Sequence, residues 1–123
     1  ILACDTIVAV GKKVLHKAKN ADEQTKVMNL LSGKTHRVIS SVCLINKQGK
    51  VSQKTISSKI TMKKLTPDEI KSYVQSDDWH GVCGYRIDGC IAAYVSRILG
   101  SYSGIIGLPL YETLNLLKGE NIR

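Results

Sequence analysis

The spacing of apolar positions changes several times along this chain, and each change marks an element. Ile1 to Val10 is a nearly continuous apolar run broken by Asp5 and Thr6. It predicts a strand that the chain enters midway, closed by a turn at Gly11-Lys12-Lys13. Asn20 stands where a helix cap belongs, with Glu23 three residues on. Val27, Met28 and Leu31 then follow at helical spacing until Gly33 ends the stretch. Arg37 to Asn46 is rich in Val and Ile and predicts a second strand, with a turn at Asn46-Lys47-Gln48-Gly49. Lys50 to Met62 returns as a half-exposed third strand, with Ile56, Ile60 and Met62 on one face, so the two form a hairpin. Thr66-Pro67-Asp68-Glu69 opens a helix to Gln75 that turns Ile70, Tyr73 and Val74 inward. Ser76 to Gly81 predicts a loop, and Gly84 to Gly89 an irregular stretch or a short strand. Ile91 to Leu99 is apolar in a pattern that fits helix and strand equally. Gly100 to Gly104 predicts a loop, and Pro109 opens a last helix through Leu110, Leu114 and Leu117. Strands alternating with helices around one hairpin predict a single α/β domain over residues 1–123, a mixed twisted sheet flanked by helices.

Composition narrows the classes. With 43% hydrophobic residues in 123, the chain can bury a core, and its Gly and Pro contents rule out fibrous and low-complexity types. No apolar run is long enough to span a bilayer, and no signal-peptide pattern stands at the start, so a cytoplasmic protein is expected. Cys4, Cys43, Cys83 and Cys90 form no C-x-x-C pair and read as reduced thiols. His80, Cys83 and Cys90 lack the fourth ligand and the tight spacing of a structural zinc site. The formal charge of +8 calls for an anionic partner. Its cations are scattered, and aromatics make up 5% with no Phe, which gives little material for base stacking. A small phosphate-bearing ligand suits that pattern as well as RNA does, and charge alone does not choose between them; no specific nucleic acid and no membrane partner is the expectation.

The residue that stands out chemically is Asp5. A carboxylate interrupting an apolar strand can hold a metal or accept a proton from water, and it can equally be a solvated strand-end residue. His36 at a strand start reads as a hydrogen-bonded structural residue. Ser32 and Gly33 read as helix termination, and Tyr102 and Ser103 sit in a glycine-flanked loop that either packs or approaches a cleft.

Several segments in order resemble motifs of one family. They are Asp5-Thr6-Ile7-Val8, Leu30-Leu31-Ser32-Gly33-x-x-His36-x-Val38, Leu65-x-x-x-Glu69-Ile70-x-x-Tyr73, Gly100-Ser101-Tyr102-Ser103 and Gly107-Leu108-Pro109-Leu110. Together they resemble the Maf family of nucleoside triphosphate pyrophosphatases, first named for septum formation, over essentially the whole chain. The resemblance implies a fold related to the inosine triphosphate pyrophosphatases, with a nucleotide in a cleft and a homodimeric assembly. It also implies cleavage of a nucleoside triphosphate between the α and β phosphates, with Mg²⁺ or Mn²⁺. Asp5 is then the catalytic and metal-binding carboxylate, and Lys17 reaches the phosphates. Thr6 contacts the nucleotide and matches the branch that acts on dTTP, UTP and their modified forms.

The chain also departs from the family pattern. Lys17 lies in Leu15-His16-Lys17-Ala18 rather than between Gly and Pro. In Gly81 to Gly89, Gly81 replaces a Lys, Cys83 a Gly, and Asp88 the Gln that contacts substrate. An ionised Asp only accepts hydrogen bonds, so base preference at Asp88 is open, and Arg86 partly offsets its charge. No counterpart of the family's N-terminal Ser-x-Ser-Pro-Arg-Arg segment is present, so an N-terminally incomplete domain with one open sheet edge is expected. The alternative to an enzyme is a non-catalytic remnant that binds nucleotide or a protein partner.

Overall fold

The computed structural model describes residues 1–120. In chain order the elements are β1 (Leu2–Val10), β2 (Lys13–Val14), α1 (Ala21–Leu31), β3 (Thr35–Ile45), β4 (Val51–Met62) and α2 (Pro67–Gln75). A 3₁₀ turn (Cys90–Tyr94), β5 (Val95–Leu99), α3 (Tyr102–Ile106) and α4 (Leu110–Gly119) complete them. The strands form one sheet in the order β2-β1-β3-β4-β5. The architecture is therefore the expected α/β one, and every strand pairing among the described residues is antiparallel.

The β3–β4 hairpin is the spine. Its register runs from Thr35 opposite Thr61 to Ile45 opposite Val51, and Asn46 closes the turn by accepting from the Gln48 and Lys50 amides through its side-chain oxygen. Alternation along β3 turns His36, Val38, Ser40, Val42 and Leu44 inward, while on β4 Ser58, Ile60 and Met62 share that face. Met28 and Leu31 of α1, Ile70 and Tyr73 of α2, Ile91 and Ile105 pack with Val8, Val10, Val38 and Ile60 in one apolar core. Helices cover only this face; Arg37, Gln53, Thr55 and Lys59 on the other are exposed.

Both helix starts form as their sequences predict. Asn20 accepts from the Glu23 amide at 2.9 Å. At α2 the box is reciprocal: Thr66 Oγ1 accepts from the Glu69 amide at 3.1 Å, and Glu69 Oε1 accepts from the Thr66 amide at 2.9 Å. Those bonds, with the Lys63 ammonium, hold the Glu69 carboxyl below the usual range.

Three segments take a form that periodicity did not settle or foresee. Ile91 to Leu99 is neither one helix nor one strand. It divides into the 3₁₀ turn, which buries Ile91, and β5, which pairs with Lys59–Met62 of β4. The presumed loop at residues 100–104 instead holds the start of α3, because Ser101 Oγ accepts from the Gly104 amide at 3.0 Å and caps a single turn. Along α4 the leucine spacing misleads. Leu110 and Leu114 are exposed, and it is Glu112 and Thr113 that are buried.

Gly100 is required by close approach. Its φ is +134°, and a Cβ there would lie 2.5 Å from Ser58 Oγ and 2.9 Å from Ser58 Cα. Ser58 is buried and accepts the Ser101 amide, so it has no room to give. Gly100→Ala should therefore lower the unfolding free energy by about 2–4 kcal/mol in a denaturant titration. An unchanged midpoint would show that β4 and β5 shift apart at little cost.

Candidate active site

A cleft of about 380 Å³ opens between residues 81–88 and α3, floored by Thr6 and Val8 of β1 and Val38 of β3. Its size lies in the range of small-molecule sites. Thr6, Lys17 and Asp88, far apart in sequence, all line it. Asp5 does not.

Strand geometry explains that division. Cys4, Thr6 and Val8 share one face of β1 by alternation, and Thr6 Oγ1 both donates to the Gly107 carbonyl at 3.3 Å and bonds Ser40 Oγ at 3.0 Å. Cys4 Sγ donates to the same carbonyl, and burial with the nearby Asp5 charge pushes its thiol pKa up. Asp5 starts from the opposite face, yet its carboxylate bends to the strand edge and accepts the Thr6 amide at 2.9 Å. That amide points away from β3. Odd positions such as Ile1 exchange bonds with β3, whereas even positions such as Val8 bond outward, to Leu15. Along Leu2–Ile7 this outward edge carries no strand among the described residues. Asp5 is thus an exposed carboxylate on an open edge, next to a cleft residue, with no ion-pair partner among the described residues.

Lys17 reaches the cleft because the chain after β2 pairs once with the opposite wall, in a single bridge between Lys17 and Cys83. On that wall Arg86 and Asp88 are exposed and form an ion pair at 3.4 Å. The cleft's charged groups are therefore two cations, Lys17 and Arg86, and one carboxylate already paired with the second. Arg86 offsets part of the repulsion that Asp88 would exert on a phosphate.

The remaining sequence candidates fall outside the lining. Ser32 Oγ accepts the Leu65 amide and the Gly33 amide donates to the Lys63 carbonyl, so both end α1 and seat the following strand connection. Tyr102 is exposed and does not line the cleft, and Ser103 accepts the Leu110 amide; Ile105 and Ile106 of the same helix form the wall instead. His36 is buried and bonds the Tyr85 hydroxyl. Gln24, which the apolar pattern gave no reason to single out, is fully buried and donates to the Gly84 carbonyl at 2.6 Å. Its one available signal was its place four residues before Met28 and seven before Leu31, a polar residue on the buried stripe.

A profile of the family described as Maf-like protein matches residues 1–120. The chain belongs to the Maf family. Over its whole length it is 44% identical to the dTTP/UTP pyrophosphatase of Mesorhizobium japonicum, of which it covers 60%. It is 45% identical to the dTTP/UTP pyrophosphatase of Nitrobacter hamburgensis and 46% identical to that of Rhodopseudomonas palustris strain BisB5. In each case 98% of this chain aligns with 58% of the relative. The chain thus spans about three-fifths of the length of these Maf relatives. No described helix is long and apolar enough to cross a membrane.

Whether these residues suit a divalent ion can be judged from the donors. Among the described residues no three His, Cys, Asp or Glu side chains come together, so there is no protein-built cage. Mg²⁺ commonly needs only one or two carboxylates when substrate phosphates complete its shell. Asp5, exposed and without an ion-pair partner among the described residues, is the carboxylate beside the cleft that would serve such an ion.

Proposed function

We propose that this cleft takes a nucleoside triphosphate and that the protein cuts it between the α and β phosphates, releasing the monophosphate and pyrophosphate. The observation that carries this reading is the convergence of Thr6, Lys17 and Arg86 on one cleft beside the Asp5 carboxylate, which has no ion-pair partner among the described residues. Family membership and the names of the relatives support the same activity. Lys17 and Arg86 attract and orient the phosphates, Arg86 with the planar fork suited to paired oxygens. Asp5 would take the proton of an attacking water or hold the ion that accompanies the triphosphate. That ion, Mg²⁺ or Mn²⁺, would neutralise charge on the phosphate oxygens. Thr6 and Asp88 would face the nucleoside, with dTTP- and UTP-type bases the preferred class. A cytoplasmic homodimer belongs to the same reading.

The test is pyrophosphate release from a panel of canonical and modified nucleoside triphosphates with either metal. Release that is fastest with dTTP, UTP or their modified forms is expected. Binding without release would replace the enzyme by a nucleotide-binding module, and neither would overturn both.

A further inference from the structure

The wall of the cleft has no regular structure between Gly81 and Gly89, yet three consecutive residues are each gripped from beneath by a different element. From α1, Gln24 donates to the Gly84 carbonyl at 2.6 Å. From β3, His36 bonds the Tyr85 hydroxyl, with the two rings edge-on at 5.4 Å between centroids. From α2, the Tyr73 hydroxyl accepts the Arg86 amide at 3.3 Å. Gln24, His36 and Tyr73 are 0%, 1% and 2% exposed, so these are core positions holding polar groups.

An apolar residue at any one of these places would leave the Gly84 carbonyl, the Tyr85 hydroxyl or the Arg86 amide without its partner, so each side chain ties the core to the course of this one segment. What they supply is direction. Two of the bonds hold backbone, the Gly84 carbonyl and the Arg86 amide, and the third holds the Tyr85 ring, in a segment whose Arg86 and Asp88 line the cleft. Tyr85 itself lines it. The neutral forms of the pair are secure, because burial lowers His36 to about 4 and raises Tyr85.

We propose that Gln24, His36 and Tyr73 form a buried polar tripod that sets the shape of the cleft wall, acting as positioning residues for nucleotide through Tyr85 and Arg86. None of the three lines the cleft. The binding part of this inference rests on the proposed nucleotide site; the positioning part does not.

Gln24→Met, Tyr73→Phe and His36→Leu each keep volume and remove one bond, and His36→Gln keeps a polar group that can still meet Tyr85. Amide hydrogen exchange is measured residue by residue in the 123-residue chain, together with affinity for a non-hydrolysable UTP analogue. Expected is at least tenfold faster exchange at residues 82–87 in the first three variants, with β3, β4 and α1 unchanged. Analogue affinity should fall about tenfold in step, and His36→Gln should recover part of both losses. Exchange at 82–87 that stays at the parent rate, or rises only in proportion to global unfolding, would overturn the tripod. If the parent chain binds no analogue, the nucleotide reading fails while the exchange result still decides the positioning claim.

Discussion

Asp5→Asn is expected to cut pyrophosphate release by roughly 10²–10⁴-fold, the range over which a positioned acid or base acts, while leaving the fold intact. The substitution isolates charge from structure. An Asn side-chain oxygen can still accept the Thr6 amide, the hydrogen bond the carboxylate makes among the described residues, so the edge of β1 keeps its cap. What disappears is the negative charge, and with it the affinity for a metal-bound phosphate and the capacity to take a proton. Asp88 is the control. Its charge is partly offset by Arg86 in a half-exposed pair, so Asp88→Asn should change turnover only a few-fold and act mainly on which base is preferred. Steady-state kinetics on the best substrate, with urea midpoints to show that both variants are folded, checks the pair. Were Asp88→Asn the one to abolish turnover and Asp5→Asn to leave it near parent level, the roles of the two carboxylates would have to be exchanged.

Which parts of this molecule were readable in its sequence follows from how local their causes are. The α1 and α2 starts are set by hydrogen bonds spanning three residues, and Asn20 and Thr66 make them as the pattern requires. The hairpin is likewise local, since Asn46 and Gly49 close it and period-two alternation sets its faces. Ile91 to Leu99 was undecidable because its outcome depends on β4, which offers Lys59–Met62 as a free edge to Val95–Leu99 and nothing to Ile91. The exposure of Leu110 and Leu114 has no account in the described packing. Within the proposed site, comparison with the family motifs singled out Thr6, Lys17 and Asp88, which line one cleft, but carried no information on which way Asp5 leans. The tripod was invisible for a different reason. Its members lie on three elements, and only the tertiary structure stacks Gln24, His36 and Tyr73 under three successive residues.

His36 should also make stability fall steeply in mild acid. The ring is 1% exposed, and burial holds its pKa near 4 against an ordinary 6.5. Between those values the unfolded chain takes up a proton that the folded chain refuses, so stability is complete above about pH 6.5 and is lost progressively as pH falls towards 4. A difference of that size corresponds to about 3 kcal/mol, a sizeable part of the 5–15 kcal/mol that domains usually possess. Glu69 and Asp78, whose carboxyls are lowered by hydrogen bonds from Thr66 and Cys90, weaken the fold in a separate window that begins as pH falls below their ordinary range. Urea midpoints taken every half unit from about pH 7.5 to about pH 3 should therefore show a decline already well advanced at about pH 5. In His36→Leu that upper part of the profile should flatten while the carboxylate part remains. Parent and variant profiles that run parallel over this range would mean that the imidazole is protonated in the folded protein at little cost. The Tyr85 bond would then have to survive with a cationic partner.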